Sequence, residues 1–329
     1  YSPLGWKSWA QCAAEFLRAK EDPFRLKTWV NTVLGESWEE RGDSVAAGSL
    51  AARLEHYPAE VPTGVGVLVA AVDVQGDRLE AVVKGYGADE ESWLIAFTQL
   101  HGDPAREQVW HELDRFLGQQ FEHESGQKLR IKRTVIDSGG HHTEQVYRYC
   151  KARLPAGRHV YPVKGGTIAG RPLLERPSVH NRYRVPLFVL CVDTGKEIVF
   201  SRMLISLPGP GYLHLPDWVD AEYLAQLTAE KAIRKYVKGR GAVREWVKLR
   251  ERNEALDLEV YALAALYILG PAFVRSLPER AARFAQPAPS SEVPDAEAGA
   301  PAPSWRDPFL PGPRGSAWVR SALPPGRRW

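Results

Sequence analysis

Apolar and polar positions change period several times along the 329 residues. Near the start, Trp9, Cys12, Ala13, Phe16 and Leu17 recur at helical spacing behind a Ser8/Gln11 capping box. After Asp22-Pro23, Leu26, Trp29, Val30, Val33 and Leu34 form a second stripe, so two short amphipathic helices are predicted. Gly35 to Gly64 loses this periodicity and reads as a connector with a helical turn or two around Leu50 to Leu54. From Val65 the pattern becomes that of strands: GVLVAAVDVQ, RLEAVVKGYG and SWLIAFTQL, joined by short turns, make an antiparallel meander. A helix with Val109, Leu113, Phe116 and Leu117 on one face follows, then strand KRTVID, a helix from His142 to Arg153, and strand HVYPVK. Strands separated by helices are natural parallel neighbours, so this order predicts an α/β fold with a mixed sheet flanked by helices. Leu173 to Ser206 and Tyr212 to Leu215 carry further strand-like and helical pieces whose place the pattern does not fix. The last periodic element is a helix from Asn253 to about Leu269, with Leu256, Val260, Leu263, Ala264 and Tyr267 on one face, ended by Gly270-Pro271.

Composition then adds boundaries. Nearly half of the 25 prolines lie beyond Gly270, and a segment so rich in Pro, Ala, Ser and Gly cannot bury enough apolar surface to fold alone, so a disordered C-terminal tail is expected. The expected organisation is therefore a helical segment and linker over residues 1–60, an α/β domain over 61–270 and a flexible tail over 271–329. The longest apolar run, Val260 to Leu269, is far short of the roughly 20 residues that a bilayer-spanning helix needs, and no signal peptide opens the chain, so neither membrane insertion nor secretion is expected. The 3 cysteines are scattered, which supports neither a disulfide framework nor a structural zinc site. No G-x-x-x-x-G-K-[ST] loop occurs, so ATP hydrolysis is not expected of these residues. The first residue, Tyr1, suggests a processed or expressed part of something longer.

Charge and chemistry change the picture more. Asp73 closes the continuous apolar run Val67 to Val72, and Asp137 closes Thr134-Val135-Ile136 just before Ser138-Gly139-Gly140, so two strands each deliver one carboxylate to a sheet edge. Glu254 and Asp257, three residues apart, share one face of the last helix and offer a third. Convergent carboxylates repel unless a cation neutralises them, and hard oxygen donors suit Mg²⁺ or Mn²⁺. Two such ions are the arrangement used for in-line phosphodiester cleavage. Each acid alone also has a plainer reading, as a turn residue or as a complement to a helix dipole. Lys231 to Arg252 holds nine Lys or Arg against two Glu, with Tyr236 and Trp246 among them, and could grip DNA phosphates through Lys238, Arg240, Arg244, Lys248 and Arg250, although a solvated hairpin or helix face would look similar. Ser304 to Trp329 combines aromatic residues with arginines, including Trp318, Arg320 and Trp329, a composition suited to anchoring a partner protein.

The strings VAAVDVQGDRLEAVVKGYGADEESWLI, VIDSGGHHTEQVY, VYPVKGGTIAGRP and RNEALDLEVYALAAL resemble blocks of the nuclease half of the large terminase subunit of lambda-like phages. The resemblance runs from about Trp6 to Leu269 and keeps the order and approximate spacing of the blocks. It implies a ribonuclease H-like sheet with metal ligands at Asp73, Asp137 and an acid of the last helix, Glu254 favoured over Asp257 because related terminases place an acid near the start of that motif. It also implies a role for Lys164 near the scissile phosphate, against the plain alternative of a surface lysine beside a glycine turn. His141 and His142, adjacent in an exposed loop, are weaker candidates. By the same resemblance the chain would cut double-stranded concatemeric DNA in the host cytoplasm during virion assembly. Its partners would be the terminase small subunit and, through the tail, the capsid portal, with an ATPase upstream and an oligomeric motor as its setting. Competing readings are another ribonuclease H-like enzyme, such as a resolvase or transposase, and a non-catalytic module docking motor to portal.

Overall fold

The computed structural model describes residues 7–20, 26, 28–35, 45–155, 157, 159–166, 168, 170–237 and 241–286. Of the residues singled out above, Lys238, Arg240, Trp318, Arg320 and Trp329 lie outside this set, as does the expected disordered stretch beyond 286.

In chain order the elements are α1 (Trp9–Ala19), a π-helical turn (Val30–Leu34), α2 (Ala47–Ala51), β1 (Leu54–Glu55), β2 (Val67–Val74), β3 (Arg78–Tyr86), β4 (Ser92–His101), α3 (Glu107–Leu117), β5 (Gln120–Glu122), β6 (Lys128–Asp137), α4 (Thr143–Arg153), β7 (Val160–Gly165), β8 (Phe188–Leu190), α5 (Val192–Leu204), β9 (Leu213–Pro216), α6 (Ala221–Leu227), β10 (Glu230–Val237), β11 (Gly241–Lys248), α7 (Glu254–Ile268), α8 (Pro271–Arg275) and α9 (Leu277–Phe284). The Ser8/Gln11 capping box opens α1 as expected, with both of its hydrogen bonds formed.

The central sheet has nine strands in the order β1-β9-β4-β3-β2-β6-β7-β8, with β5 pairing β6 beside that path. β2, β3 and β4 form the antiparallel meander. β6 runs parallel to β2, β7 to β6 and β8 to β7, because each is reached through a crossover. This is the mixed, helix-flanked α/β arrangement that the order of strands and helices led us to expect. The pieces that the pattern left unplaced become β8, α5 and β9, and β9 extends the opposite edge by pairing in parallel with β4. β2 is buried almost throughout, as its unbroken apolar run requires of a central strand.

The pleat divides the core in two. Leu68, Ala70 and Val72 point to the side covered by α3 and α4, whereas Val67, Val69 and Ala71 point to the side covered by α5, α6 and α7. α7 is buried nearly all round, from Ala255 through Leu266, between the sheet and α5 and α6, so it carries no single apolar stripe of the kind the sequence suggested. The ordered chain also continues past residue 270, where the sequence analysis placed the start of a flexible tail. Gly270 takes a left-handed φ of 91°, Pro271 occupies the first turn of α8, and α9 then packs back on β2. Leu277 of α9 is fully buried, and a Cβ on Gly66 would stand 2.8 Å from the Leu277 carbonyl oxygen, so this docking requires glycine at position 66.

The basic segment is a two-stranded hairpin, β10 paired antiparallel with β11 from Glu230↔Lys248 to Val237↔Gly241. No helix among the described residues is long and apolar enough to cross a membrane.

Candidate active site

Alternation along the strands decides which side chains meet. Asp73 follows Val67, Val69 and Ala71 onto the α7 side of β2, and Asp137 follows Val135 onto the same side of β6. Parallel pairing sets Val72 opposite Ile136, so the two aspartates follow side by side, one residue further on, Asp137 at the end of β6 and Asp73 one residue short of the end of β2. α7 begins over this spot and brings Glu254 and Asp257 in its first turn. Together they line an open cleft of about 680 Å³, whose walls also include Gln75, Arg78, Gly140, His141, His142, Lys248, Arg252, Asn253 and Tyr261.

Asp73 is 6% exposed and accepts a hydrogen bond from the Gln75 amide. Burial pushes its pKa up to about 7; the Gln75 hydrogen bond opposes the rise, and the charges of Asp137, Asp257 and Glu80 add to it. Asp137 is likewise raised by burial, against the Gly139 and Ser138 amides and the Lys164 charge that favour its ionised form. Asp257 is raised by burial too, with Lys196 and Lys248 pulling it down and Glu230 and Asp137 pushing it up. The electrostatics therefore couple Asp73, Asp137 and Asp257 to one another.

Asn253 holds Asp257 in place. Its amide donates to Asp257 Oδ2 and to Glu230 Oε1, both at 2.9 Å, and its oxygen accepts from Lys248 Nζ at 2.8 Å. Lys196 grips both oxygens of Glu230 at 2.7 and 2.8 Å and stands 3.7 Å from Asp257 Oδ1.

Glu254 has different company. Its Oε1 accepts from Arg78 Nη2 at 3.0 Å, and its Oε2 lies 3.5 Å from Arg252 Nε. Lys164 is exposed at the end of β7, where Val163 pairs with Asp137; Asp137 feels its charge, but Lys164 is not among the residues lining the cleft. In the hairpin, Lys248 reaches the cleft, Arg244 lies 5.7 Å from the Trp246 ring centroid, and Arg250 pairs with both oxygens of Glu222 at 2.9 Å. Sequence reasoning missed Gln75, Arg78, Glu80, Asn253 and Tyr261. The first three were within reach of it: the tight β2–β3 turn fixes a register that sets Glu80 opposite Asp73, and Arg78, two residues earlier, shares its face.

Among the described residues no group of three His, Cys, Asp or Glu side chains stands in a ligating arrangement. The carboxylates of the cleft are turned instead toward their own donors, Gln75, Gly139 and Asn253. The donor set nonetheless suits a hard divalent cation. It is all oxygen, and burial disfavours the ionised form of all three aspartates, which a cation would restore.

Residues 1–277 match the family described as terminase large subunit gpA, endonuclease domain. The chain belongs to that family. Relatives within reach of the gpA family include the terminase large subunit of Escherichia phage lambda, 37% identical over 276 residues, and that of Enterobacteria phage P21, 35% identical over 280 residues. Each alignment covers 82% of this chain and 42% of the relative, so the gpA-family chain spans less than half the length of these relatives. Among solved structures, the large terminase of bacteriophage HK97 aligns over 79% of this chain and 51% of its own, with a TM-score of 0.40 and 11% identity. Three of the quoted blocks that suggested the gpA family, those carrying Asp73, Asp137 and Asp257, lie at the cleft.

Proposed function

We propose that this chain is a divalent-metal-dependent endonuclease that cuts double-stranded DNA for phage genome packaging. The observation that carries the reading is the meeting of Asp73, Asp137 and Asp257, three mutually repelling carboxylates from three distant stretches of chain, in one open cleft. Mg²⁺ or Mn²⁺, two ions in all, would be held by these three. The engagement of Glu254 by Arg78 and Arg252 supports Asp257 rather than Glu254 as the third ligand. When bound, such ions activate water and stabilise the leaving oxygen of a phosphodiester.

The protein's own groups have separate tasks. Asn253 orients the Asp257 carboxylate, Gln75 that of Asp73 and the Gly139 amide that of Asp137. Lys164, beside Asp137 in the sheet, is placed to draw a phosphate toward the cleft mouth, and Lys248 and Arg244 extend positive charge along the hairpin. Arg250 contributes less, because Glu222 already neutralises it. Double-stranded DNA is the proposed substrate, and the terminase small subunit and the capsid portal are the proposed partners during assembly in the host cytoplasm.

Purified protein with Mn²⁺ is expected to nick and linearise plasmid. Asp73→Ala, Asp137→Ala and Asp257→Asn are each expected to lower the rate at least a hundredfold with unchanged circular dichroism, whereas Glu254→Gln keeps at least a tenth of it. Undiminished cutting by Asp73→Ala would defeat the proposal, and loss of cutting in Glu254→Gln with retention in Asp257→Asn would reverse the choice of third ligand.

A further inference from the structure

Beside the three aspartates lies a second cluster that the proposed chemistry leaves unused. Glu80, opposite Asp73 on β3, is fully buried, and its Oε1 accepts from Arg78 Nε at 2.7 Å and from Arg252 Nη2 at 2.9 Å. Arg78 is tied at its other two nitrogens as well, to Asp77 at 2.8 Å and to Glu254 at 3.0 Å. Arg252 is held at one corner only. Its Nε and Nη1 approach Glu254 and Glu222 at 3.5 and 3.6 Å, and neither contact forms a hydrogen bond. The Nε is shut off from solvent without a hydrogen-bond partner, while the side chain as a whole is 37% exposed and lines the cleft.

A guanidinium anchored through Nη2 on a side chain that lines an open cleft can still offer Nη1 and the second N–H of Nη2, end-on, to two oxygens of a phosphate. The buried Glu80 anchors that end of Arg252, and Arg78 fixes Glu80 in turn. Burying Glu80 is costly unless it is paired, so the cluster is built rather than incidental. We propose that Arg252 is a backbone-phosphate subsite for DNA, seizing a phosphate next to the one that is cut, with Glu80 and Arg78 as its positioning residues. The proposal deepens the reading of the cleft as a nuclease centre and rests on it.

The test uses duplex binding in EDTA, followed by fluorescence anisotropy over a salt series, with the Asp73→Asn protein as the non-cleaving reference. Arg252→Gln in that background is expected to weaken binding about tenfold and to lower the slope of log affinity against log salt by about one. Arg252→Lys keeps the slope, because the charge remains, but recovers only part of the affinity, because the fork is gone. Mn²⁺ binding by calorimetry stays unchanged when Arg252→Gln or Arg252→Lys is introduced alone, with Asp73 intact. Unaltered affinity and slope in Arg252→Gln would overturn the subsite. Should that variant fail to fold, Arg252→Lys decides, since full reference affinity there overturns the fork and a several-fold loss supports it. Failure of the unsubstituted protein to cleave would remove the nuclease reading while this binding comparison still gives its own answer.

Discussion

Asp73 shows how much a single residue carries at this site. An ordinary aspartate ionises near 3.8, and this one near 7, so between those values the folded chain binds a proton that the unfolded chain has released. Stability from this residue is therefore greatest in acid and is lost as pH rises through about 7. At about 1.4 kcal/mol for each tenfold change in proton affinity, the rise costs on the order of 4 kcal/mol at alkaline pH. Asp73→Asn is expected to melt a little above the parent at pH 5 and by a clearly larger margin at pH 8, in EDTA, because the loss builds between about 4 and 7, and Mn²⁺ is expected to stabilise the parent far more at pH 8 than at pH 5. Scanning fluorimetry checks both, and identical pH dependence in the two proteins would contradict the electrostatic account. The position of Asp73 was legible because an acid ending an unbroken apolar strand is conspicuous. The different surroundings of Asp257 and Glu254 were not, because Glu254 meets Arg78, 176 residues away in sequence.

At the scale of elements, α7 repeats this contrast. Its existence and end could be read from Asn253 to Gly270, but its surroundings could not, because α5 and α6 cover it from stretches whose own pattern is ambiguous. The helix therefore buries polar groups that seemed destined for solvent. Glu259 meets Lys84 of β3 at 2.8 Å in the core, where burial pulls the Lys84 ammonium down and Glu259 holds it up. Lys84→Met leaves Glu259 charged and alone and is expected to cost about 3–5 kcal/mol, and adding Glu259→Leu is expected to return most of the loss. Urea unfolding of the four members of this cycle measures it, and additive losses would show that the two groups do not depend on each other.

For the molecule as a whole, the meander and the parallel strands that follow were readable from turn lengths and crossovers, and these set the sheet that carries Asp73 and Asp137. The helices that follow Gly270 were not readable. The Pro-rich composition beyond Gly270 masks α8 and α9, and only the tertiary contact of Leu277 with β2 through Gly66 reveals their place. Leu277→Ala is expected to lower stability by about 2–5 kcal/mol, as for a fully buried leucine in a packed core. A change below 1 kcal/mol in denaturant titration would show that α9 is dispensable. The spacing of the acids along the chain has one more outcome. Residues 73, 137 and 257 leave the ribosome far apart in time, and the last is seated only once α7 has bedded against the sheet. A half-made or prematurely stopped polypeptide thus lacks Asp257, and the three aspartates of the cleft come together only after translation has moved well beyond the sheet.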